Sequence, residues 1–450
     1  MRSSRPAPMA RPSSARPHSR IGRPAGGGRR SAAFLAGTAV VLSTLTGVLS
    51  VSAQRSVAAT PPLLPSVDPF YTYYGPLASI APGTVLKSRP VPAASNPQLE
   101  VTQVLYRTTG ELGHPTVTVA TVVRAVSGPT PTQILSYQEA YDGLGPKCEP
   151  SYKLQSGLGS LGQVTGYLAA GLLTGYLSSG LVLVVPDYEG VHQQWTAGQE
   201  AGYETLDAAR AAENLLKLAP ATTRVGLVGY SGGAIATDYA TELAPRYAPG
   251  LDLAGAAEGG VPVDFAHVLR YVNGSPYWSG VIPMALVGLG RAFQLPLDKY
   301  LSTYGESLTS AIAQDCLGDV AGHYPGLTYQ RLFKPRYRDI FAVPAFRRIF
   351  AKMVMGRAGT PHTPVFIGEG VSDGTGDGVM VAKDVEDLAH EYCRRGATVE
   401  LRLYKGLDHN QAVAPFVADA LSFLAKALRG EPVPNGCGAI GTGGSPGPPL

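Results

Sequence analysis

A serine hydroxyl becomes a nucleophile when a neighbouring base takes its proton and an acid orients that base. The run Gly229-Tyr230-Ser231-Gly232-Gly233 has the form such a serine takes. In Gly-x-Ser-x-Gly the serine sits on a tight strand-to-helix turn, and glycines on either side let the two elements approach without a Cβ clash. The letters alone are weak in a chain with 55 glycines, and they recur at Gly370-Val371-Ser372-Asp373-Gly374 and Gly443-Gly444-Ser445-Pro446-Gly447. Only the first has a strand-like run before it (224–228) and a helix-like run directly after it (232–244, stopped by Pro245). The second continues into loop, and the third lies in a Gly/Pro-rich tail. A helix N-terminus behind Ser231 also favours negative charge developing at the reacting group.

The partners follow from chain order. On a parallel sheet that carries such a turn, the acid and then the histidine arrive later, each on a loop after a further strand. His409 follows the last strand-like run, 399–404, on a short loop. His390 falls within a helix-like stretch, His362 precedes a strand, and His18 lies near the N-terminus. The acid belongs to the loop after the strand at 364–368, where two aspartates compete. Asp373 is nearer the strand end and is favoured; Asp377, nearer the next helix, is the alternative. Whichever is not the acid reads as a turn former or helix cap.

The elements that must position these residues alternate strand and helix, as in a mostly parallel sheet covered on both faces. Strands are expected at 100–107, 116–124, 133–138, 181–185, 224–228, 364–368 and 399–404, and helices at 202–218, 232–244 and 382–395. Between 260 and 345 the alternation fails and the pattern turns helical, as an inserted cap would. The stretch 281–297 is very apolar, which fits either a core helix of the insertion or a wall over the nucleophile. One large domain, 60–430, and a low-complexity tail, 431–450, unstructured apart from whatever Cys437 tethers, account for the rest.

Composition excludes several classes. The net charge is +4, but residues 1–53 hold eight arginines and no acid, so the remainder carries −4. That remainder has no long basic run and no stacked aromatic pattern, which argues against nucleic-acid binding. Residues 1–59 read as an Arg-rich leader and signal peptide, with small-residue cleavage positions after Ala53 or Ala59. An uncleaved membrane anchor is the alternative, because the apolar run approaches the length of a bilayer span. Cys148, Cys316, Cys393 and Cys437 are an even set suited to two disulfides in an oxidising compartment, and spacing leaves the pairing open. No pair has zinc-ligand spacing, so no metal is expected.

From about 68 to 420 the sequence resembles the secretory lipase family, α/β-hydrolases typified by fungal lipase A. The resemblance is carried by AspProPheTyr at 68–71, ProGlyThrValLeu at 82–86, and SerTyrGln at 136–138 with Asp142 and CysGluProSer at 148–151. It continues through ProAspTyrGluGly at 186–190, LeuAspAlaAlaArgAlaAla at 206–212, GlyTyrSerGlyGly at 229–233, CysArgArgGlyAlaThrVal at 393–399 and Asp408-His409. It implies an α/β-hydrolase fold with a helical cap, Ser231 and His409 as catalytic residues, and an oxyanion hole formed by Asp142 and the Gly232 N–H. It also implies the pairings Cys148–Cys316 and Cys393–Cys437. The acid loop departs from the family pattern by about four extra residues: counting from the strand points to Asp373, and counting back from Cys393 to Asp377.

The expected activity is hydrolysis of lipid esters, as a triacylglycerol lipase or carboxylesterase, through an acyl-enzyme and without a cofactor. The expected substrate is a lipid or small ester, with transient contact at a lipid interface, and the expected location is the secreted fraction or the cell envelope. The alternatives are an acyltransferase or peptidase built on the same three residues, and a non-catalytic lipid-binding relative.

Overall fold

The computed structural model describes residues 62–91, 97–156 and 177–440; the expected leader, its anchor alternative and the end of the tail lie outside the described residues. Among the described residues nine strands form one sheet: β1 (Val85–Val91), β2 (Leu99–Thr109), β3 (Pro115–Ala125), β4 (Gln133–Gln138), β5 (Leu181–Pro186), β6 (Arg224–Tyr230), β7 (Asp252–Gly259), β8 (Val365–Val371) and β9 (Val399–Lys405). Their spatial order is β1-β2-β3-β5-β4-β6-β7-β8-β9. The first three pair antiparallel and β3 pairs antiparallel with β5, whereas every pair from β5 to β9 is parallel. All six residues of β5 are buried, which is why it reads as an unbroken apolar run rather than an alternating one.

Helices cover both faces. On one side α1 (Gly198–Leu216), α2 (Gly232–Tyr247) and α7 (Ala382–Arg394) pack Leu206, Tyr239, Leu243 and Leu388 against Ile134, Val182 and Val225. On the other, α8 (Val413–Arg429) lays Phe416, Phe423 and Leu424 on Val228, Ala257 and Phe366.

Two strands escape the sequence pattern. β1 is an edge strand whose side chains are mostly half-exposed, so it lacks a buried run. β7 reads Asp-Leu-Ala-Gly-Ala-Ala-Glu-Gly and has almost no β-branched content, because α8 crosses it closely. A Cβ at Gly255 would lie 2.8 Å from the Ala427 Cβ, and one at Gly259 would lie 2.5 Å from the Phe416 ring. Nor does α2 stop at Pro245. It runs on to Tyr247, since a proline in the last turn forfeits only one ladder bond and Tyr247 is anchored through its hydroxyl to Asp207 (2.7 Å). The tail is also more ordered than expected up to Ile440: Gly436 N–H donates to the Val399 carbonyl, and Cys437–Ile440 forms a helical turn.

The insertion between β7 and β8 is helical, and it extends past residue 345. It contains α3 (Phe265–Tyr271), α4 (Val281–Ala292), α5 (Thr303–Ala311) and α6 (Pro344–Lys352), with an apolar core of its own. Both readings of 281–297 hold in part: Ile282, Met284 and Leu286 fill that core, while Val281 and Ala285 face a cavity beside Ser231. Disulfides join Cys148 to Cys316 and Cys393 to Cys437. The first closes a separation of 168 residues, for which loop-closure entropy gives a stabilisation of roughly 5 kcal/mol.

Buried carboxyls are frequent. The Glu111 N–H donates to Glu200 Oε2 (3.1 Å) and the Glu200 N–H to Glu111 Oε2 (3.0 Å), tying the β2–β3 turn to the start of α1. Burial pushes both carboxyls up, Glu111 to about 7. The folded chain therefore holds protons that the unfolded chain releases. The associated stability is fully present below the ordinary glutamate range and is lost as pH rises to about 7. The melting temperature should accordingly be higher near about pH 5 than near about pH 8, and Glu111→Gln should reduce that difference; thermal unfolding at the two pH values checks both.

Candidate active site

Ser231 caps the N-terminus of α2 with φ 57° and ψ −122°, a backbone conformation that β6 and α2 impose by meeting head-on. Its N–H donates to the Gly259 carbonyl at 2.8 Å, which pins the turn to β7. The glycines around it have steric reasons. A Cβ at Gly229 would collide with the Gly233 carbonyl, one at Gly233 with the Gln138 carbonyl at the end of β4, and one at Gly232 with the Asp142 carboxyl.

His409 lies on the loop after β9 and is 4% exposed. Its Nε2 is 2.8 Å from the Ser231 hydroxyl and its Nδ1 is 2.5 Å from Asp377 Oδ2. The His409 N–H donates to the Asp377 carbonyl (2.9 Å), and the Tyr230 hydroxyl donates to the His409 carbonyl (2.7 Å). The histidine is thus fixed both by the acid loop and by the residue preceding the serine. Trp278 of the insertion meets the imidazole edge-on, with ring centroids 5.4 Å apart.

The carboxylate beside His409 is Asp377 and not Asp373, the residue favoured from the strand end. Asp373 is exposed; it accepts from the Thr375 and Gly376 N–H groups and from the Tyr271 hydroxyl, so it caps its own turn. The chain then doubles back, with the Ser372 N–H on the Gly376 carbonyl (2.7 Å), and delivers Asp377 inward. Asp377 Oδ1 accepts from Val379 and Met380 N–H at 2.8 and 2.7 Å. Burial alone would raise its pKa, but His409 and these two amides hold the carboxyl below the ordinary aspartate range.

Asp142 and Gly232 also converge here. Gly232 is the first residue of α2, where the helix ladder offers its N–H no carbonyl. Asp142 sits at φ 37° and 2% exposure above that glycine. Its Oδ1 accepts from the Trp195 indole N–H at 2.8 Å. Burial pushes the Asp142 carboxyl up to about 6, opposed by the Trp195 hydrogen bond and the charge of His409. Its loop is braced from two sides. Glu189 Oε2 accepts from the Gly143 N–H (3.1 Å), and the Asp142 carbonyl accepts from the Leu317 N–H (2.8 Å) beside the Cys148–Cys316 bridge.

Sequence reasoning did not single out Glu189, Trp195, Tyr230 or Glu369. Glu189 lies within ProAspTyrGluGly, so the motif was visible while its task was not. Asp187 of the same motif accepts from the Ser151 backbone and hydroxyl (2.9 and 2.5 Å). Glu369, on β8 beside Asp377, accepts from the Val261 N–H (3.1 Å), and burial together with the Asp377 charge raises it well above its ordinary range.

Ser231, Asp142 and Thr196 stand at the polar end of a narrow cavity of about 50 Å³ whose other walls include Ile235, Phe265, Leu269, Val281 and Met380. Among the described residues no group of His, Cys, Asp and Glu is arranged to hold a metal ion, and no helix is long and apolar enough to cross a membrane.

A nine-stranded, mostly parallel sheet with a serine on the β6–α2 turn and a helical insertion after β7 defines an α/β-hydrolase. A model of the secretory lipase family matches residues 160–436, and the chain belongs to that family. It is 35% identical over 365 residues to a Mycobacterium tuberculosis protein described as a probable inactive lipase, covering 77% of this chain and 78% of that one. Over 397 residues it is 31% identical to lipase A of Arthroderma benhamiae, covering 85% and 83% of the two chains. Among solved structures, closed-state Candida antarctica lipase A is similar, with a TM-score of 0.75 and 29% identity over 86% of this chain and 91% of that one.

The Gly233 contact yields a direct check. Gly233→Ala must displace the β4 end or α2, and overpacking of this kind costs about 1–3 kcal/mol. The midpoint of chemical denaturation should fall accordingly; an unchanged midpoint would mean that the two elements are not so close.

Proposed function

We propose that this chain is a serine hydrolase that cleaves carboxylic esters of lipids in two acyl-transfer steps. The observation that carries the reading is the unbroken hydrogen-bond sequence Ser231–His409–Asp377 opening on an apolar cavity. Asp377 holds the imidazole with Nδ1–H toward itself, which leaves Nε2 free to accept the serine proton. Ser231 Oγ attacks the ester carbonyl, and the oxygen that becomes negative is received by the Gly232 N–H and by protonated Asp142. His409 returns its proton to the departing alcohol. Water then enters by the same route, releases the fatty acid and restores the serine. The apolar walls suit an acyl chain, and the reaction calls for no metal or organic cofactor.

A non-catalytic role has one specific observation in its favour, the relative described as probably inactive. Against it stand a base already in line with the hydroxyl and an acid already in line with the base. Two disulfides and the Arg-rich leader support a site of action outside the cytoplasm, in the secreted fraction or the cell envelope. Contact with a lipid surface would be transient.

The chain should react with a fluorophosphonate at Ser231 and hydrolyse nitrophenyl esters, and Ser231→Ala should abolish both while leaving thermal unfolding in place. Absence of labelling in the parent would establish the non-catalytic reading instead. Replacing Asp377 by Asn should lower kcat by about 10⁴-fold through loss of the correct imidazole tautomer. Asp373→Asn should leave kcat within a few-fold of the parent; the reverse ranking of the two variants would return the acid to Asp373.

A further inference from the structure

We infer that Trp195 is a positioning residue for Asp142: its indole N–H occupies one carboxyl oxygen, so the single proton of the acid is confined to the other, which is left to serve the substrate oxyanion. The inference rests on the ester-hydrolase reading, in which Asp142 touches the reacting oxygen and Trp195 acts through it.

A carboxylic acid has two oxygens and one proton, and only the protonated oxygen donates. Indole N–H is a donor with no acceptor capacity, so it is best satisfied by the carbonyl-like oxygen of the acid. With Trp195 Nε1 2.8 Å from Asp142 Oδ1, the proton is directed to Oδ2. A flexible or distant partner could not enforce this choice, but Trp195 is neither. It is 8% exposed, and α4 presses on it closely enough that a Cβ at Gly288 would collide with the Trp195 carbonyl.

The turn carrying Trp195 is held in a costly shape. Gln193 and Thr196, on either side of the tryptophan, have φ of 47° and 74°, left-handed conformations that cost about 1–3 kcal/mol each and persist only where the surroundings over-determine them. One determinant is Arg291 at the end of α4. Its guanidinium donates to the carbonyls of Gln193 (3.0 Å), Leu144 (2.8 Å) and Ala313 (2.9 Å). The tryptophan loop, the Asp142 loop and the cap are therefore tied to one cation.

The same N–H has an opposing electrostatic effect, because it also favours the ionised acid. Burial is the largest influence and carries Asp142 up to about 6; Trp195, His409 and Lys153 act downward, and Glu139 acts upward. Glu189 and Tyr188 face the same carboxyl. Once ionised, Asp142 has no proton to give and repels the oxyanion, so its contribution is present at low pH and is lost as pH rises through about 6. Removing the indole N–H should consequently do two things of opposite sign. It should reduce kcat where Asp142 is protonated, because the proton is no longer confined to one oxygen, and it should move the alkaline fall of kcat to higher pH.

The test is the kcat and KM of a soluble nitrophenyl ester as a function of pH for the parent, Trp195→Phe, Asp142→Asn and the double variant. Trp195→Phe should lower kcat at acid pH by about 10-fold, a fraction of what losing a whole oxyanion donor costs, with little change in KM. Its alkaline limb should lie at higher pH than that of the parent. Asp142→Asn carries an amide donor that does not titrate, so its profile should lack this limb. Adding Trp195→Phe to it should lower kcat again, because the amide can then turn its oxygen toward the substrate. A Trp195→Phe enzyme with the parent's limb, whether or not its kcat falls, would overturn the inference. If Trp195→Phe does not fold, Asp142→Asn decides alone: a limb that persists in it overturns the inference. Fluorophosphonate labelling of the parent, run alongside, separates the two failures. A labelled parent with an unmoved limb removes only the role of Trp195, whereas an unlabelled parent removes the hydrolase reading beneath it.

Discussion

The close approach of β6 to α2 at Gly229 and Gly233 is the contact on which the site depends. It leaves no space for a Cβ at Gly229, the end of β4 leaves none at Gly233, and Ser231 is held at φ 57°. Such a backbone costs about 1–3 kcal/mol and survives only where other contacts hold it. Here the holders are the Gly259 carbonyl, which accepts the Ser231 N–H, and the Gln138 carbonyl, which packs against Gly233. The reward is geometric. The hydroxyl projects from the sheet edge where the loops after β4, β8 and β9 end, and three distant parts of the chain can reach it.

Three carboxyls in this small region have been given different properties by their surroundings. Asp377 is buried but receives two backbone N–H groups and faces His409, and it is held ionised. Glu369 is buried beside it and, with that charge for a neighbour, is pushed the other way. Asp142 is buried against an indole N–H and rises to about 6. Burial, backbone N–H groups and neighbouring charge thus hold one carboxyl below its ordinary range and push two above theirs within one small region.

The parts legible in the sequence were those whose physics is local. Five residues suffice to mark the Ser231 turn, because the clash avoided at Gly229 lies between its own strand and helix, although Gly232 and Gly233 answer to Asp142 and Gln138. His409 was legible because it follows directly on the last strand. β5 announced itself through six consecutive buried apolar residues, whereas β7 did not, since its small residues answer to α8, more than 150 positions away in the chain. The acid was hidden for a related reason. Asp373 and Asp377 have the same side chain in one turn-rich loop, and only the path of that loop decides which one faces inward.

The sequence by itself determined the fold class, the loops whose ends converge, and that Ser231 and His409 would be among the residues meeting there, because strand periodicity and turn stereochemistry are short-range properties of the chain. Tertiary structure decided which aspartate meets His409, that Glu189 and Trp195 brace Asp142, and that α4 is at once core and cavity wall. Those outcomes depend on hydrogen bonds and van der Waals contacts between residues tens to hundreds of positions apart. Such contacts exist only once the sheet has brought the loop ends together.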